Sequence, residues 1–202
     1  MHKYIAHVGS ALLLTALFGC GMAAKMIAAK TLNERNGIFT EVSSTEPVPA
    51  GYADVLITAE IKTRGKGDRQ GEPESSAQEK ETYPYLFNID GQAVIWTVEG
   101  KEHELPKYDP EGRMSRDPEA GMGIKYVLKK EIRLRAGTHR FFFGLPEDDY
   151  CREFTVALKN GETHVLEFKP HYWHTHIPMR IPTFLKGVTF YDILFDSVVL
   201  RS

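Results

Sequence analysis

Period-two alternation is the feature that most constrains this chain. Across Ala53–Lys62, the residues Val55, Ile57, Ala59 and Ile61 alternate with Asp54, Leu56, Thr58, Glu60 and Lys62. Successive side chains of an extended strand point to opposite faces, so such a segment offers one apolar side to a core. The same reading predicts strands over Tyr83–Ile89 and Gln92–Val98, on either side of Asp90-Gly91. An Asp-Gly pair is preferred chemistry for a two-residue hairpin because it tolerates positive φ. Further strands are predicted over Gly123–Leu134, Thr138–Phe143, Cys151–Leu158 and Glu162–Phe168, and Lys186–Leu200 reads as one or two closing strands. Turn signals separate them at Ala136-Gly137, Pro146–Asp149 and Asn160-Gly161. Many short strands without strand–helix alternation predict an all-β fold and argue against a parallel sheet.

Between the strands lie two long polar stretches. Residues 64–82 are rich in Gly, Ser, Gln, Glu, Lys and Arg, with almost nothing to bury. Such a stretch cannot offset its ordering entropy, so a mobile loop is expected. Residues 99–122 carry Pro106, Pro110 and Pro118 and are expected to form a second long loop. The formal net charge is -2. That balance points neither to nucleic acid nor to a polyanion mimic.

The N-terminus has a different logic. Met1-His2-Lys3 is followed by the apolar run Ala11–Phe18, which ends at Gly19-Cys20. A positive end and a short apolar run before a small residue make a secretory signal, and the run falls short of the roughly 20 residues that span a bilayer. Leu17-Phe18-Gly19-Cys20 resembles the lipobox of bacterial lipoproteins, with Phe18 bulkier than the usual residue. The resemblance implies a signal peptide over residues 1–19, cleavage before Cys20, and acyl chains on Cys20. Residues 20–52 would then be lipid anchor and tether, with Ala23–Leu32 as a short helix or a flexible link. The resemblance also implies a cell-envelope location. Gly21, where an aspartate would signal inner-membrane retention, favours the outer membrane.

From Ile89 to Phe168 the chain resembles the PEGA-type and related transthyretin-like or immunoglobulin-like β-sandwich modules of bacterial surface proteins. The matching residues are Asp90-Gly91, then Ile132–His139 (Ile-Arg-Leu-Arg-Ala-Gly-Thr-His), then Asn160-Gly161-Glu162-Thr163. The Glu-Gly-Ala signature after the first hairpin is absent, and residues 99–122 are extra. The resemblance implies an antiparallel β-sandwich over residues 53–202 with long loops. Such modules act in adhesion, assembly or display rather than catalysis, and bind protein partners on the envelope.

The constellation with most chemical content is His171-Tyr172-Trp173-His174-Thr175-His176. In an extended backbone His174 and His176 share a face, and neutral imidazoles suit zinc or copper. Metal held by His171, His174 and His176 is therefore the alternative to ordinary packing. Asp109-Pro110-Glu111, Asp117-Pro118-Glu119 and Glu147-Asp148-Asp149 lack the ligand spacing of a calcium loop and read as solvated turns. Cys151, the other cysteine, is expected to be buried in a strand with no base beside it. Phe141-Phe142-Phe143 cannot all face one core, so at least one points away from it, either covered by a loop or exposed as a contact patch. The expectation is a non-enzymatic, lipid-anchored envelope protein without a cofactor. A metal-binding envelope protein is the first alternative, and a hydrolase with an unrecognised carboxylate pair is the second.

Overall fold

The structure, a computed structural model, describes residues 19–43, 47–63, 82–103, 110–112, 119, 123–173 and 187–200. These contain α1 (Gly19–Lys30), β1 (Phe39–Glu41), β2 (Tyr52–Thr63), β3 (Thr82–Ile89), β4 (Gln92–His103), β5 (Gly123–Arg135), β6 (Gly137–Leu145), β7 (Tyr150–Leu158), β8 (Thr163–Tyr172), β9 (Val188–Phe195) and β10 (Val198–Val199). The strands form one sheet in the order β10-β9-β8-β2-β5-β4-β3-β6-β7, with β1 added against β5. The sheet curls into a half-barrel. The expected β-rich body with one short helix is present. The stretch 64–81, and most of 104–122, lie outside the described residues.

Two expectations are corrected. The sheet is mixed, not antiparallel throughout: β2 and β8 run parallel, from Asp54 opposite Thr163 to Ala59 opposite Phe168. The crossover between them consists of strands β3 to β7, so a search for strand–helix alternation does not detect it. Asn160-Gly161 accordingly closes an arch across the core, since β7 pairs with β6 while β8 pairs with β2 and β9. The second correction concerns β4, which continues past Val98 to His103. It pairs with β3 through Glu99 and with β5 from Gly100 onward. Gly100 permits this change of partner. A Cβ there would sit 2.4 Å from Ile124 Cγ2 and 2.7 Å from Tyr126 Cε1. Glycine inside a strand commonly marks such a close approach.

The core fills the concave side. Val55, Ile57, Ala59 and Ile61 are buried there as their alternation predicts, together with Phe87, Phe141, Phe143, Leu166 and Phe168. Phe143 and Phe168 meet with ring centroids 4.2 Å apart. Phe142 points the other way and is also buried, beneath Ile27 of α1 and beside Leu86 and Cys151. The helix itself follows from Ala23, Ala24, Lys25, Met26, Ala28 and Ala29, all strong helix formers. Its last turn ends at Thr31, whose hydroxyl donates to the Ile27 carbonyl at 2.8 Å.

Two hairpin turns carry the same clamp. Asp90 (φ 48°) turns β3 into β4, and Asp196 (φ 48°) turns β9 into β10. The Asp90 amide donates to the Arg140 carbonyl at 3.0 Å, and the Asp196 amide to the Val165 carbonyl at 2.9 Å. Each Oδ1 accepts the amide of that same residue, at 2.9 Å in both cases. Each Oδ2 lies 2.7 Å from the Nδ1 of the histidine just before it, His139 or His164. The equivalence continues inward. Tyr85 and Tyr191 stand at matching positions before the two aspartates, and Phe143 matches Phe168 after the two histidines. All four are buried.

The two clamps differ in exposure. His164 is 1% exposed. Its Nε2 accepts the Lys159 amide at 2.9 Å, which assigns the ring hydrogen to Nδ1, facing Asp196. His164→Ala would empty a buried site and leave the Lys159 amide and an Asp196 carboxylate oxygen without this partner, at a cost of about 1–3 kcal/mol. His139→Ala opens to water more readily and should cost less. Urea unfolding of both variants gives the order, and an equal or reversed order would contradict this account. Gly100→Ala should cost about 1–3 kcal/mol by overpacking. A denaturation midpoint unchanged from the parent would show that the β4 crossing has room for a methyl group.

Candidate functional site

The register places unlike connections at opposite ends of the half-barrel. Thr63 lies opposite Ile124, His103 opposite Gly123, Thr82 opposite Glu99, and Tyr172 opposite Val188. The long segments between β2 and β3, β4 and β5, and β8 and β9 therefore all leave from one end, called here the loop end. The turns at Asp90-Gly91, Ala136, Asn160-Gly161 and Asp196-Ser197 lie at the other, the tight-turn end. Binding residues commonly sit on loops held by a rigid scaffold, so the loop end is the candidate site.

Buried tyrosines form its floor. Tyr83, Tyr85, Tyr126, Tyr172 and Tyr191 all belong to the core. Tyr83 stands 5.3 Å by ring centroid from both Tyr85 and Tyr126, and Tyr150 stands 5.3 Å from Tyr191. A buried phenol needs a partner, and each of these finds one. Tyr83 donates to Asp148 Oδ2. Tyr85 donates to the Tyr126 carbonyl at 3.0 Å, and Tyr191 to the Glu60 carbonyl at 2.8 Å. The Tyr172 hydroxyl donates to Glu119 Oε1 at 2.9 Å and accepts the Lys62 amide at 2.8 Å. Tyr150 accepts the Tyr191 amide at 3.1 Å.

Charged groups complete the floor. Lys62, 1% exposed, donates from Nζ to the Glu119 carbonyl at 2.9 Å. Lys125 Nζ lies 2.9 Å from Glu60 Oε2 and 3.0 Å from Glu119 Oε2. Burial works against the Lys125 ammonium, but the hydrogen bonds of Glu60 and Glu119 outweigh it and hold its pKa above the ordinary value. Glu119 is thus a hub, not the solvated turn residue that its Asp-Pro-Glu context suggests. Asp148 likewise serves Tyr83 within its turn. Asp109 and Asp117 lie outside the described residues.

The residues singled out from the sequence are dispersed. Cys20 lies in the first turn of α1. His171 is in β8, with Nε2 2.7 Å from Asp192 Oδ2 and its ring stacked on Phe190 at 4.3 Å. His174 and His176, the other two members of the alternative metal trio, lie outside the described residues. Among the described residues, no group of three or more His, Cys, Asp and Glu is placed to hold a metal ion. Cys151 is half-buried in β7, where burial first, and then the Glu153 charge, push its thiol pKa up. That is the opposite of an activated nucleophile.

What sequence reasoning missed is buried charge, at Lys62 in the floor and at Asp54 toward the tight-turn end. Lys62 and Asp54 occupy positions that alternation assigns to the outer face, yet both are buried. Asp54 is met by Arg133 through Nε at 2.7 Å and Nη2 at 2.8 Å. The available signal was a cluster of tyrosines near the loop-side strand ends: Tyr83, Tyr85, Tyr126, Tyr150, Tyr172 and Tyr191. The chain matches no protein-family model, no curated protein and no solved structure.

Burial raises the phenol pKa of Tyr83, Tyr85, Tyr126, Tyr150, Tyr172 and Tyr191 above the ordinary 10.0. At Tyr83 and Tyr172 the carboxylates of Asp148 and Glu119 raise it further. A raised folded pKa gives stability that is complete below the unfolded value and is lost as pH climbs through the folded one. Stability should therefore fall steeply above about pH 10. Phenolate absorbance should rise in two steps, the second together with loss of near-UV circular dichroism. A single step near the ordinary value, with the fold intact, would contradict a buried tyrosine floor.

Proposed function

We propose that this chain is a lipid-anchored protein of the bacterial cell envelope. In this reading residues 1–19 are a secretory signal, Cys20 carries the acyl chains, and Gly21 favours the outer membrane. The body has no catalytic role; it presents its loop end to a protein partner of the envelope. We further read the half-barrel as a divergent relative of transthyretin-like or immunoglobulin-like sandwich modules. The hairpin at Asp90-Gly91, the reversal at Gly137 and the turn at Gly161 support that kinship, with φ of 97°, 136° and 76° at the three glycines.

The observation that carries the reading is Leu17-Phe18-Gly19-Cys20 at the end of an apolar run. No helix among the described residues is long and apolar enough to cross a membrane. Attachment through lipid needs none, since each buried methylene adds about 0.8 kcal/mol and two or more chains anchor stably. A binding role is supported by the loop end itself, where the strand ends that carry the long connections stand over a floor fixed by buried hydrogen bonds and ion pairs.

Metabolic labelling with a palmitate analogue tests the anchor. The parent chain and Cys151→Ser should take up label and sediment with membranes, while Cys20→Ala should lose both properties. Label retained on Cys20→Ala would refute acylation at that sulfur.

A further inference from the structure

A seam runs along the side of the half-barrel, where β7 and β10 end the sheet without pairing to each other. Which backbone groups face it follows from the clamp at Asp90. The Arg140 amide and carbonyl both engage Asp90, so they point toward β3. Backbone groups alternate direction along a strand, so those of Phe141 and Phe143 point toward β7. Their partners in register are Phe154 and Arg152, whose groups point back at them. The amides and carbonyls of Cys151, Glu153, Thr155 and Ala157 are therefore turned away from β6, into the seam. Glu153, Thr155 and Ala157 are exposed.

Sheet edges usually carry a device against pairing: a lysine, a proline, a bulge or a charge turned inward. β7 contains no lysine or proline, and its register with β6 runs unbroken from Leu158 opposite Gly137 to Tyr150 opposite Leu145. Its outward charge, Glu153, is engaged by Lys30 and Arg140, each at 3.3 Å. Across the seam stand Ile193, Val199 and Leu200, which with Arg152, Phe154 and Thr155 line a groove of about 550 Å³. Val199 is 48% exposed. Toward the loop end a strut bridges the seam: the Tyr150 hydroxyl accepts the Tyr191 amide at 3.1 Å, where a closed barrel would offer a backbone carbonyl. Arg152 is half-buried and forms no ion pair among the described residues. Asp192, on the opposite wall, is held by His171 at 2.7 Å. An inward cation repels a neighbouring strand with a cation beside it and attracts one with a carboxylate there.

We propose that the seam binds an extended acidic segment of a partner protein, which adds to β7 as a further strand. Such a segment meets the row of amides and carbonyls at Cys151, Glu153, Thr155 and Ala157, which are spaced as only another strand matches. Its inward side chains fall at alternate positions. One, a carboxylate, pairs with Arg152; the next, two residues away, is apolar and covers Phe154, Val199 and Leu200. The site lies on the wall of the half-barrel and depends neither on acylation of Cys20 nor on the loop end.

Hydrogen exchange of the full chain in detergent, read residue by residue, tests the edge. The amides of Glu153, Thr155 and Ala157 should exchange several-fold faster than those of Phe154, Val156 and Leu158. Random short peptides displayed on phage supply the probe. Selection on the full chain should enrich an acidic residue two positions from an aliphatic one, and a selected peptide should slow the three fast amides. Thr155→Pro removes an outward amide and leaves the β6 ladder intact. It should weaken that peptide about tenfold, the worth of one backbone hydrogen bond, with circular dichroism unchanged. Arg152→Glu should turn the selection toward basic residues. Equal protection of the two sets of amides in the free chain would show an edge already covered and overturn the proposal. Protection that grows with protein concentration would assign the edge to a second copy and overturn it too. So would selection without binders or without acidic preference, or binding that Thr155→Pro leaves unchanged.

Discussion

Everything in this fold depends on contact between the two arms of one curled sheet. Phe143 comes from β6 and Phe168 from β8, strands far apart in the sheet order, yet their rings meet at 4.2 Å. A flat sheet of this order would leave Phe87, Phe141, Phe143, Leu166 and Phe168 against water on one whole side. Burying an aromatic or leucine side chain is worth about 1.5–3 kcal/mol, so curling is the solution that removes the most apolar area. The curl in turn needs a strand that changes partners, and Gly100 in β4 is where the backbone has the room to do it.

The two ends of the half-barrel are held by different chemistry. At the tight-turn end, Asp90 and Asp196 each engage both backbone groups of one residue on the neighbouring strand, and a histidine fixes the second carboxylate oxygen. For Asp196, burial would raise the carboxyl pKa, but the hydrogen bonds of His164 and the Val165 amide prevail and keep it low. That clamp is complete above the ordinary carboxylate value and weakens as pH falls through the folded one. At the loop end the work is done by phenols, two lysines and Glu119, and it is alkali that dismantles it. Acid and base therefore attack opposite ends of the same body.

The legibility of the sequence follows the same division. Alternation over Ala53–Lys62 placed Val55, Ile57, Ala59 and Ile61 correctly because one face of β2 is buried by the common core. It misplaced Asp54 and Lys62 because their partners, Arg133 and Glu119, come from distant parts of the chain that no local pattern identifies. Asp90-Gly91 gave a true hairpin. Asn160-Gly161 has equally good turn chemistry and gave an arch, since a turn signal fixes the reversal but not which strands pair after it. The repeated Thr-His at Thr138-His139 and Thr163-His164 was in plain view, but it gained meaning only when each histidine was seen against its aspartate. For the candidate site, Tyr172 and His171 fell in the stretch singled out, while Glu119 and Lys62 were read as surface groups.

The duplicated clamp also bears on why the loops gather at one end. Each clamp consumes a hairpin turn and the start of the neighbouring Thr-His strand, so the chain there has no spare length: Gly51, Tyr52, Asn160 and Gly161 are tied together by hydrogen bonds of 2.6 and 2.8 Å. Insertions at that end would break backbone pairing directly. At the other end, pairing between strands is already complete at Thr63, Thr82, His103 and Gly123, and the floor beneath is held by side chains. Loop length there costs only slowly growing closure entropy. The end that tolerates long, polar connections is thus the end where the backbone asks nothing further of them.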